Sequence, residues 1–139
     1  MAIYNLYIFN RDGLCIFYKE WMRERHCGMP KLEEDKLLYG MLLSLRSFCE
    51  RICSKETQQQ VRYFKTSAYR LNYMESATGL KFVLNTDPNA NGMQELVRSI
   101  YQAYVDCVSR NCLVDVTKEI HSELFSSRID KLISSSSAF

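Results

Sequence analysis

Few residues in this sequence of 139 residues have the chemistry of an acid–base catalyst. The two histidines are His26 and His121. His121 is predicted to lie within a helix beside Ser122 and Glu123, and sequence neighbours on a helix point in different directions. A catalytic triad would need partners from elsewhere in the chain, and the sequence indicates none. Neither a GxxxxGKS/T phosphate loop nor a GxGxxG dinucleotide loop is present. We therefore predict no catalytic residues, no enzyme activity of its own and no cofactor.

Three consecutive carboxylates, Glu33, Glu34 and Asp35, follow Pro30. Proline suits the first turn of a helix because no intrahelical hydrogen bond needs its missing N–H group. Negative charge in that turn is favoured by the positive end of the helix dipole. We therefore interpret these carboxylates as the start of a helix, not as an acidic site.

Six cysteines stand at positions 15, 27, 49, 53, 107 and 112, and no two of them form a CxxC pair. They are predicted to be free thiols in a reducing cytosol. A zinc site that includes His26 and Cys27 is the alternative, although the ligand spacing differs from the common structural motifs. We predict no metal site.

Nine tyrosines pose a second alternative, a platform on which single-stranded nucleic acid stacks. Tyr63, Tyr69 and Tyr73 lie on short predicted strands near Arg62 and Arg70. The formal charge of +2 is too small for nucleic-acid binding to be the favoured function. We expect these rings to fill a half-buried sheet instead, with no nucleic acid as partner.

The composition is that of a soluble globular domain, with 47% hydrophobic and 24% charged residues. The longest uncharged apolar stretch, Leu37 to Leu45, is far shorter than the about 20 residues of a membrane-spanning helix. The N-terminus lacks the features of a secretory signal peptide. These features predict a cytoplasmic protein without an integral membrane segment.

The pattern of apolar residues predicts an α+β domain with the order β-β-α-β-β-β-α-α. The predicted strands are 3–9, 14–21, 61–65, 69–75 and 80–86. The three helices are predicted to begin at Pro30, after Asp87 and at Thr117, the last ending at Leu132. In the first strand, Ile3, Tyr7 and Phe9 are expected on one side. We expect a five-stranded antiparallel sheet with one helix on one face and two on the other, over residues 1–133, and a frayed serine-rich tail over 134–139.

The first helix provides the candidate functional surface. Its predicted sheet-facing stripe consists of Leu38, Met41, Leu42, Leu45, Phe48, Cys49 and Ile52. Tyr39 and Leu43 are expected to lie away from that stripe, flanked by Lys36 and Arg46. Apolar side chains on the outer side of a core helix can mark a contact with another protein. We therefore predict a partner interface formed by Lys36, Tyr39, Leu43 and Arg46.

Several segments resemble a known family. Tyr4 to Gly13 resembles the first hairpin of longin-like trafficking proteins. Lys36 to Phe48, Lys65 to Asp87 and Ser122 to Arg128 are similar to the subunit 1 family of small longin-like subunits of the trafficking protein particle (TRAPP) complex. The resemblance runs from about residue 3 to residue 133.

This resemblance implies a longin-like (profilin-like) fold and a non-catalytic scaffold subunit of a vesicle-tethering complex. The implied partners are other TRAPP subunits, with synbindin-like and Bet-type neighbours. The resemblance further implies that the assembled complex acts as a nucleotide exchange factor for a Rab GTPase. It also implies a cytoplasmic protein, peripheral at the cis-Golgi and the endoplasmic reticulum, that serves transport between them.

Two other families share this order of elements. A small, sigma-like chain of a clathrin adaptor is the main alternative, but the segment Thr78 to Phe82 and the string Tyr39-Gly40-Met41 favour TRAPP. A longin-domain SNARE would need a heptad coiled coil after the domain. The sequence ends at Phe139 without such a pattern.

Overall fold

The structure is a computed structural model, and it describes residues 3–22, 28, 30–52, 61–110 and 118–135. Its elements follow the predicted order. The strands are β1 (Ile3–Phe9), β2 (Cys15–Glu20), β3 (Tyr63–Lys65), β4 (Arg70–Glu75) and β5 (Lys81–Thr86). The helices are α1 (Lys31–Ile52), α2 (Met93–Tyr104) and α3 (Glu123–Ser135). None of the helices in the described part of the chain combines the length and the apolar character that a membrane span requires.

The five strands form one antiparallel sheet in the order β2-β1-β5-β4-β3. Strands β1, β5 and β4 are therefore inner strands, and β2 and β3 are the two edges. Side chains of β1 are buried on both faces, Leu6 and Ile8 on one and Tyr7 and Phe9 on the other. A sheet whose inner strands are apolar on both faces must be covered on both. The predicted antiparallel sheet is confirmed.

Two similar turns meet at one end of the sheet, because Phe9 at the end of β1 pairs with Lys81 at the start of β5. In the first turn the side-chain Oδ1 of Asn10 accepts a hydrogen bond from the Leu14 N–H group at 2.9 Å. In the second, Ser76 Oγ accepts one from the Leu80 N–H group at 3.0 Å.

Each turn places a glycine, Gly13 or Gly79, at φ 89°. Residues other than glycine rarely adopt that backbone conformation. Asp-Gly between two apolar runs predicts a hairpin turn, and a turn is present at Asp12-Gly13.

The helices cover the two faces unequally. Helices α2 and α3 bury the larger core against Leu6, Ile8, Phe82 and Leu84 of the sheet. Helix α1 covers the smaller core, which contains Tyr7, Phe9, Leu71, Tyr73 and Val83. The predicted layering, one helix on one face and two on the other, is thus confirmed.

The structure differs from the predicted elements in two places on this larger core. Ile3 lies with Leu6 and Ile8, not with Tyr7 and Phe9, because the pairing of β1 with β5 shifts register between Ile3 and Asn5. Helix α2 continues into a π-helical turn, Val105–Ser109, in which the Arg110 N–H group donates to the Val105 carbonyl at 3.0 Å. Simple periodicity does not predict such a turn.

Helix α3 begins later than predicted. It starts at Glu123, where Ser122 Oγ accepts a hydrogen bond from the Phe125 N–H group at 3.3 Å. The predicted start at Thr117 lies outside the described residues. His121 therefore precedes the helix and is exposed, instead of lying within it. The helix ends at Ser135, and the rest of the predicted tail lies outside the described residues.

The rotation of α3 about its axis also differs from the predicted one, so a different residue faces the core. The sequence pattern predicts Ile120, Leu124, Ile129 and Leu132 as the apolar positions of this helix. Leu124 is nevertheless 67% exposed, whereas Phe125 is 0% exposed. The Phe125 ring meets Phe17 edge-on with centroids 4.8 Å apart, and Tyr104 at 6.2 Å.

We predict that Phe125→Ala lowers the free energy of unfolding by about 3–5 kcal/mol, because it removes a fully buried ring and leaves a cavity. Leu124→Ala, the adjacent exposed position, should change it by less than about 0.5 kcal/mol. Urea denaturation of the two variants measures both. Equal losses would show that the described phase of α3 is incorrect.

Candidate partner interface

The first turns of α1 are fixed to the sheet by charged and aromatic groups. The Tyr7 hydroxyl donates a hydrogen bond to Glu34 Oε1 at 2.6 Å. The Lys31 ammonium lies over the rings of Tyr7 and Tyr18, at 4.7 and 4.1 Å from their centroids. It also forms an ion pair with the buried Asp35. The carboxylates expected at a helix start therefore serve two purposes, since Glu34 and Asp35 also anchor the helix.

The middle of α1 is fixed by a second cluster, at the end of the sheet where the two turns meet. Arg46 Nη1 lies 3.0 Å from Glu75 Oε1, and Lys81 Nζ lies 3.8 Å from the same oxygen. The Tyr73 hydroxyl donates to Glu75 Oε2 at 3.3 Å. Burial, together with the negative charge of Glu75, raises the pKa of Tyr73 well above its usual value. Tyr73 is therefore a neutral hydrogen-bond donor here, not an acid.

The four predicted interface residues fall into two pairs. Lys36 and Leu43 are exposed, and Leu43 is 41% exposed. Tyr39 is half-buried in the smaller core, with its ring centroid 5.8 Å from that of Phe9. Arg46 is half-buried and paired with Glu75.

The expectation that Tyr39 lies away from the sheet is therefore wrong. Tyr39 is about 40° around the helix from the buried Asp35 and about 60° from the buried Leu42, which is close enough for a long ring to reach the sheet.

Other residues of the predicted sheet-facing stripe also need correction. Leu38, Met41 and Leu42 do pack on the smaller core. Phe48 is 59% exposed, and Ile52 in the last turn is also exposed. A step of three residues advances about 300° around a helix, so a stripe built from such steps drifts. Phe48 lies about 120° from Leu42 for this reason.

The exposed side of α1 consequently carries apolar side chains among its polar ones. Four large apolar side chains are exposed besides Leu43, and sequence reasoning missed them as a surface: Leu32, Leu37, Phe48 and Ile52. Gly40 lies between them, and a Cβ atom built there would meet no atom within 4 Å. Glycine in a helix interior costs roughly 1 kcal/mol relative to alanine. No packing against described residues requires it at this position.

The positions of three tyrosines bear on the alternative of a nucleic-acid platform. Tyr69 and Tyr73 lie on the α1 face of the sheet, whereas Tyr63 pairs with Asn72 and lies on the opposite face, stacked under Arg70 at 4.0 Å. The three rings therefore form no common stacking surface.

The described cysteines Cys15, Cys49 and Cys107 are free thiols. Burial, with the negative charge of Asp35, raises the pKa of Cys15 to about 11, so its thiol stays protonated near neutral pH.

No three His, Cys, Asp or Glu side chains of the described ranges come together as ligands. The alternative zinc site at His26 and Cys27 lies outside those ranges. The arrangement of α1 supports binding to another protein more directly than it supports chemistry.

Comparison with known proteins adds the family context. A family model described as the Sybindin-like family matches residues 3–136. Trafficking protein particle complex subunit 1 of Homo sapiens is 42% identical over 136 residues, which cover 97% of this chain and 94% of the relative. The protein of the same name from Dictyostelium discoideum is 38% identical over 112 residues, 78% of each chain. Subunit BET5 of the Saccharomyces cerevisiae complex is 36% identical over 120 residues, 81% of this chain and 76% of the relative.

We predict that Tyr39→Ala lowers the free energy of unfolding by about 2–3 kcal/mol, because it removes a ring packed against Phe9. Lys36→Ala, one turn earlier on the same helix, should change it by less than about 0.5 kcal/mol. Urea denaturation distinguishes the two. A loss for Lys36→Ala as large as that for Tyr39→Ala would contradict the separation of the two pairs.

Proposed function

Because this chain belongs to the Sybindin-like family, which its sequence matches over residues 3–136, we propose that it is a non-catalytic scaffold subunit of the TRAPP complex. The sequence resemblance to the subunit 1 family is confirmed by the human relative, 42% identical over 97% of the chain. The relatives reported above are named as subunits of that complex. None of these relatives is named as a chain of a clathrin adaptor.

The observation that carries this proposal is the set of exposed apolar side chains on α1. Exposed apolar side chains are normal singly. Neighbouring ones, such as Phe48 and Ile52 one turn apart, are more typical of a binding surface. Leu37, Phe48 and Ile52 lie on one flank of the helix and Leu43 on the other. Full burial of one such side chain contributes about 1.5–3 kcal/mol. Burial of several of them would favour association with a partner subunit.

Gly40 supports the same surface. It lies between the two flanks, and its missing side chain allows another backbone to approach the helix closely. Its cost of roughly 1 kcal/mol to the isolated helix is then offset in the assembly.

We assign different roles to the four residues predicted from the sequence. Lys36 and Leu43 contact the partner directly. Tyr39 and Arg46 position the helix, because one packs on Phe9 and the other pairs with Glu75. A helix fixed at two places loses little conformational freedom on binding, which favours affinity.

A more specific function of the complex follows from this scaffold role. The assembled complex acts as a guanine nucleotide exchange factor for a Rab GTPase, and this chain contributes platform surface beside synbindin-like and Bet-type neighbours. An assembly that binds the nucleotide-free GTPase more tightly than the loaded form accelerates the release of GDP. That mechanism requires a rigid surface, but no acid, base or metal from this chain. The site of action is cytoplasmic, peripheral at the cis-Golgi and the endoplasmic reticulum.

The first experiment is a pull-down of the tagged full chain from cytosol, with identification of its partners by mass spectrometry. We expect TRAPP subunits. Recovery of the large chains of a clathrin adaptor would favour the alternative and contradict the proposal.

The second experiment locates the interface. Leu43→Glu and Phe48→Glu should leave the chain folded, because both side chains are exposed, and should reduce recovery of the partner subunits at least ten-fold. The matched control is Leu124→Glu, 67% exposed on the other side of the molecule, which should leave recovery unchanged. Circular dichroism confirms folding of each variant. Unchanged recovery with both α1 variants, or loss with Leu124→Glu alone, would place the interface elsewhere.

A further inference from the structure

The outer strand β2 carries the sequence Cys15-Ile16-Phe17-Tyr18, a run with high β-propensity and no charge. Such a run on a sheet edge is a template for pairing with another chain. Its pairing with β1 contains an irregularity, because Ile8 pairs with Phe17 and the next residue, Phe9, pairs with Cys15. Ile16 is therefore the extra residue of a bulge.

The segment before α3 covers this bulge. The Ile120 N–H group donates a hydrogen bond of 2.7 Å to the Ile16 carbonyl. The Ile120 side chain is 6% exposed and belongs to the larger core, so the segment is anchored at that point. One backbone group that a second strand would need is thus already occupied.

Helix α3 then holds the other end of β2. The Lys19 ammonium donates hydrogen bonds to Ser126 Oγ, at 2.8 Å, and to Asp130 Oδ2. The Trp21 indole N–H group donates to Asp130 Oδ1 at 3.0 Å. Burial alone would raise the pKa of Asp130, but the hydrogen bonds from Lys19 and Trp21 outweigh it, and the pKa lies below its usual value. The carboxylate is therefore charged near neutral pH and accepts all the hydrogen bonds offered to it.

The opposite edge is closed less completely. Strand β3 has only three residues. Just before it in the chain, the Arg62 carbonyl accepts a hydrogen bond from the Tyr73 N–H group at 2.9 Å. Just after it, the Thr66 N–H group donates to the Tyr69 carbonyl at 2.8 Å, so both flanking groups are directed toward β4. The backbone groups of Tyr63 and Lys65 consequently point away from β4. Within the described ranges no strand pairs with that side of β3.

We propose that residues 118–122, together with the contacts of Lys19 and Trp21 with Asp130, form an edge guard that prevents β2 from pairing with β2 of a second copy of this chain. A subunit with two open edges can add copies at both sides and form an open chain of sheets. A subunit guarded at β2 can accept a strand at one side only. The guard acts whether or not the chain joins the complex proposed above.

The test removes one hydrogen bond. In the Ile120→Pro variant, residue 120 has no N–H group to donate to the Ile16 carbonyl. The Ile120→Ala variant keeps that N–H group. Both variants lose the contact of the isoleucine side chain with the core. The mass of each purified full-length variant is measured by light scattering over a hundred-fold range of concentration. We expect Ile120→Pro to form dimers as concentration rises, and Ile120→Ala and the unmodified chain to show no comparable increase.

Hydrogen exchange identifies the edge involved. In the associated Ile120→Pro sample, amides of residues 15–20 should exchange at least ten-fold more slowly than in the dilute sample, while those of 63–65 should not change. An Ile120→Pro chain with the same mass as Ile120→Ala at every concentration would overturn the proposal. Protection confined to 63–65 would also overturn it.

Ile120→Pro could prevent folding, so a second variant gives an independent answer. The double substitution Lys19→Met and Asp130→Asn opens the contacts with α3 and leaves the Ile120 N–H group in place. If Ile120→Pro shows no cooperative unfolding transition, light scattering and hydrogen exchange of the double variant test the proposal instead. Association through residues 15–20 supports the guard, and a chain whose mass is independent of concentration refutes it.

Discussion

Strands β1 and β5 carry apolar side chains on both faces of the sheet, and this constraint determines the layers of the molecule. Leu6 and Phe82 require cover on one side, and Tyr7 and Val83 require it on the other. Two helices satisfy the first side and one helix satisfies the second. Because α1 is the one helix on its face in the described part of the chain, it must be held firmly there, and its other side is the one that we propose for a partner.

The two places that hold α1 use charge and aromatic rings more than aliphatic packing. Near the start of the helix, Lys31 lies over Tyr7 and Tyr18 while Glu34 accepts a hydrogen bond from Tyr7. Near its middle, Arg46 pairs with Glu75. Such contacts fix direction as well as distance, so the helix presents its outward apolar surface in one orientation. A surface presented in this way suits a scaffold subunit, which acts by holding other proteins in place.

Much of this architecture could be predicted from the sequence because it depends on local patterns. The strand Ile3–Phe9 has the predicted bounds, and the buried positions of α2, such as Val97 and Ile100, follow a helical period. The candidate surface could be predicted only in part. Tyr39 faces the core and Phe48 does not, and that distinction depends on the phase of α1 relative to a sheet whose position the helix sequence does not contain. The contact of Lys19 with Asp130 joins residues 111 positions apart, and no local pattern indicates it.

We propose that this chain functions by being held between other proteins through the outward side of α1. Hydrogen exchange of the full chain, alone and within the complex recovered with it, tests this claim most directly. We predict slower exchange over residues 31–52 in the complex, with residues 123–135 unchanged. Slower exchange confined to residues 123–135, with α1 unaffected, would contradict it.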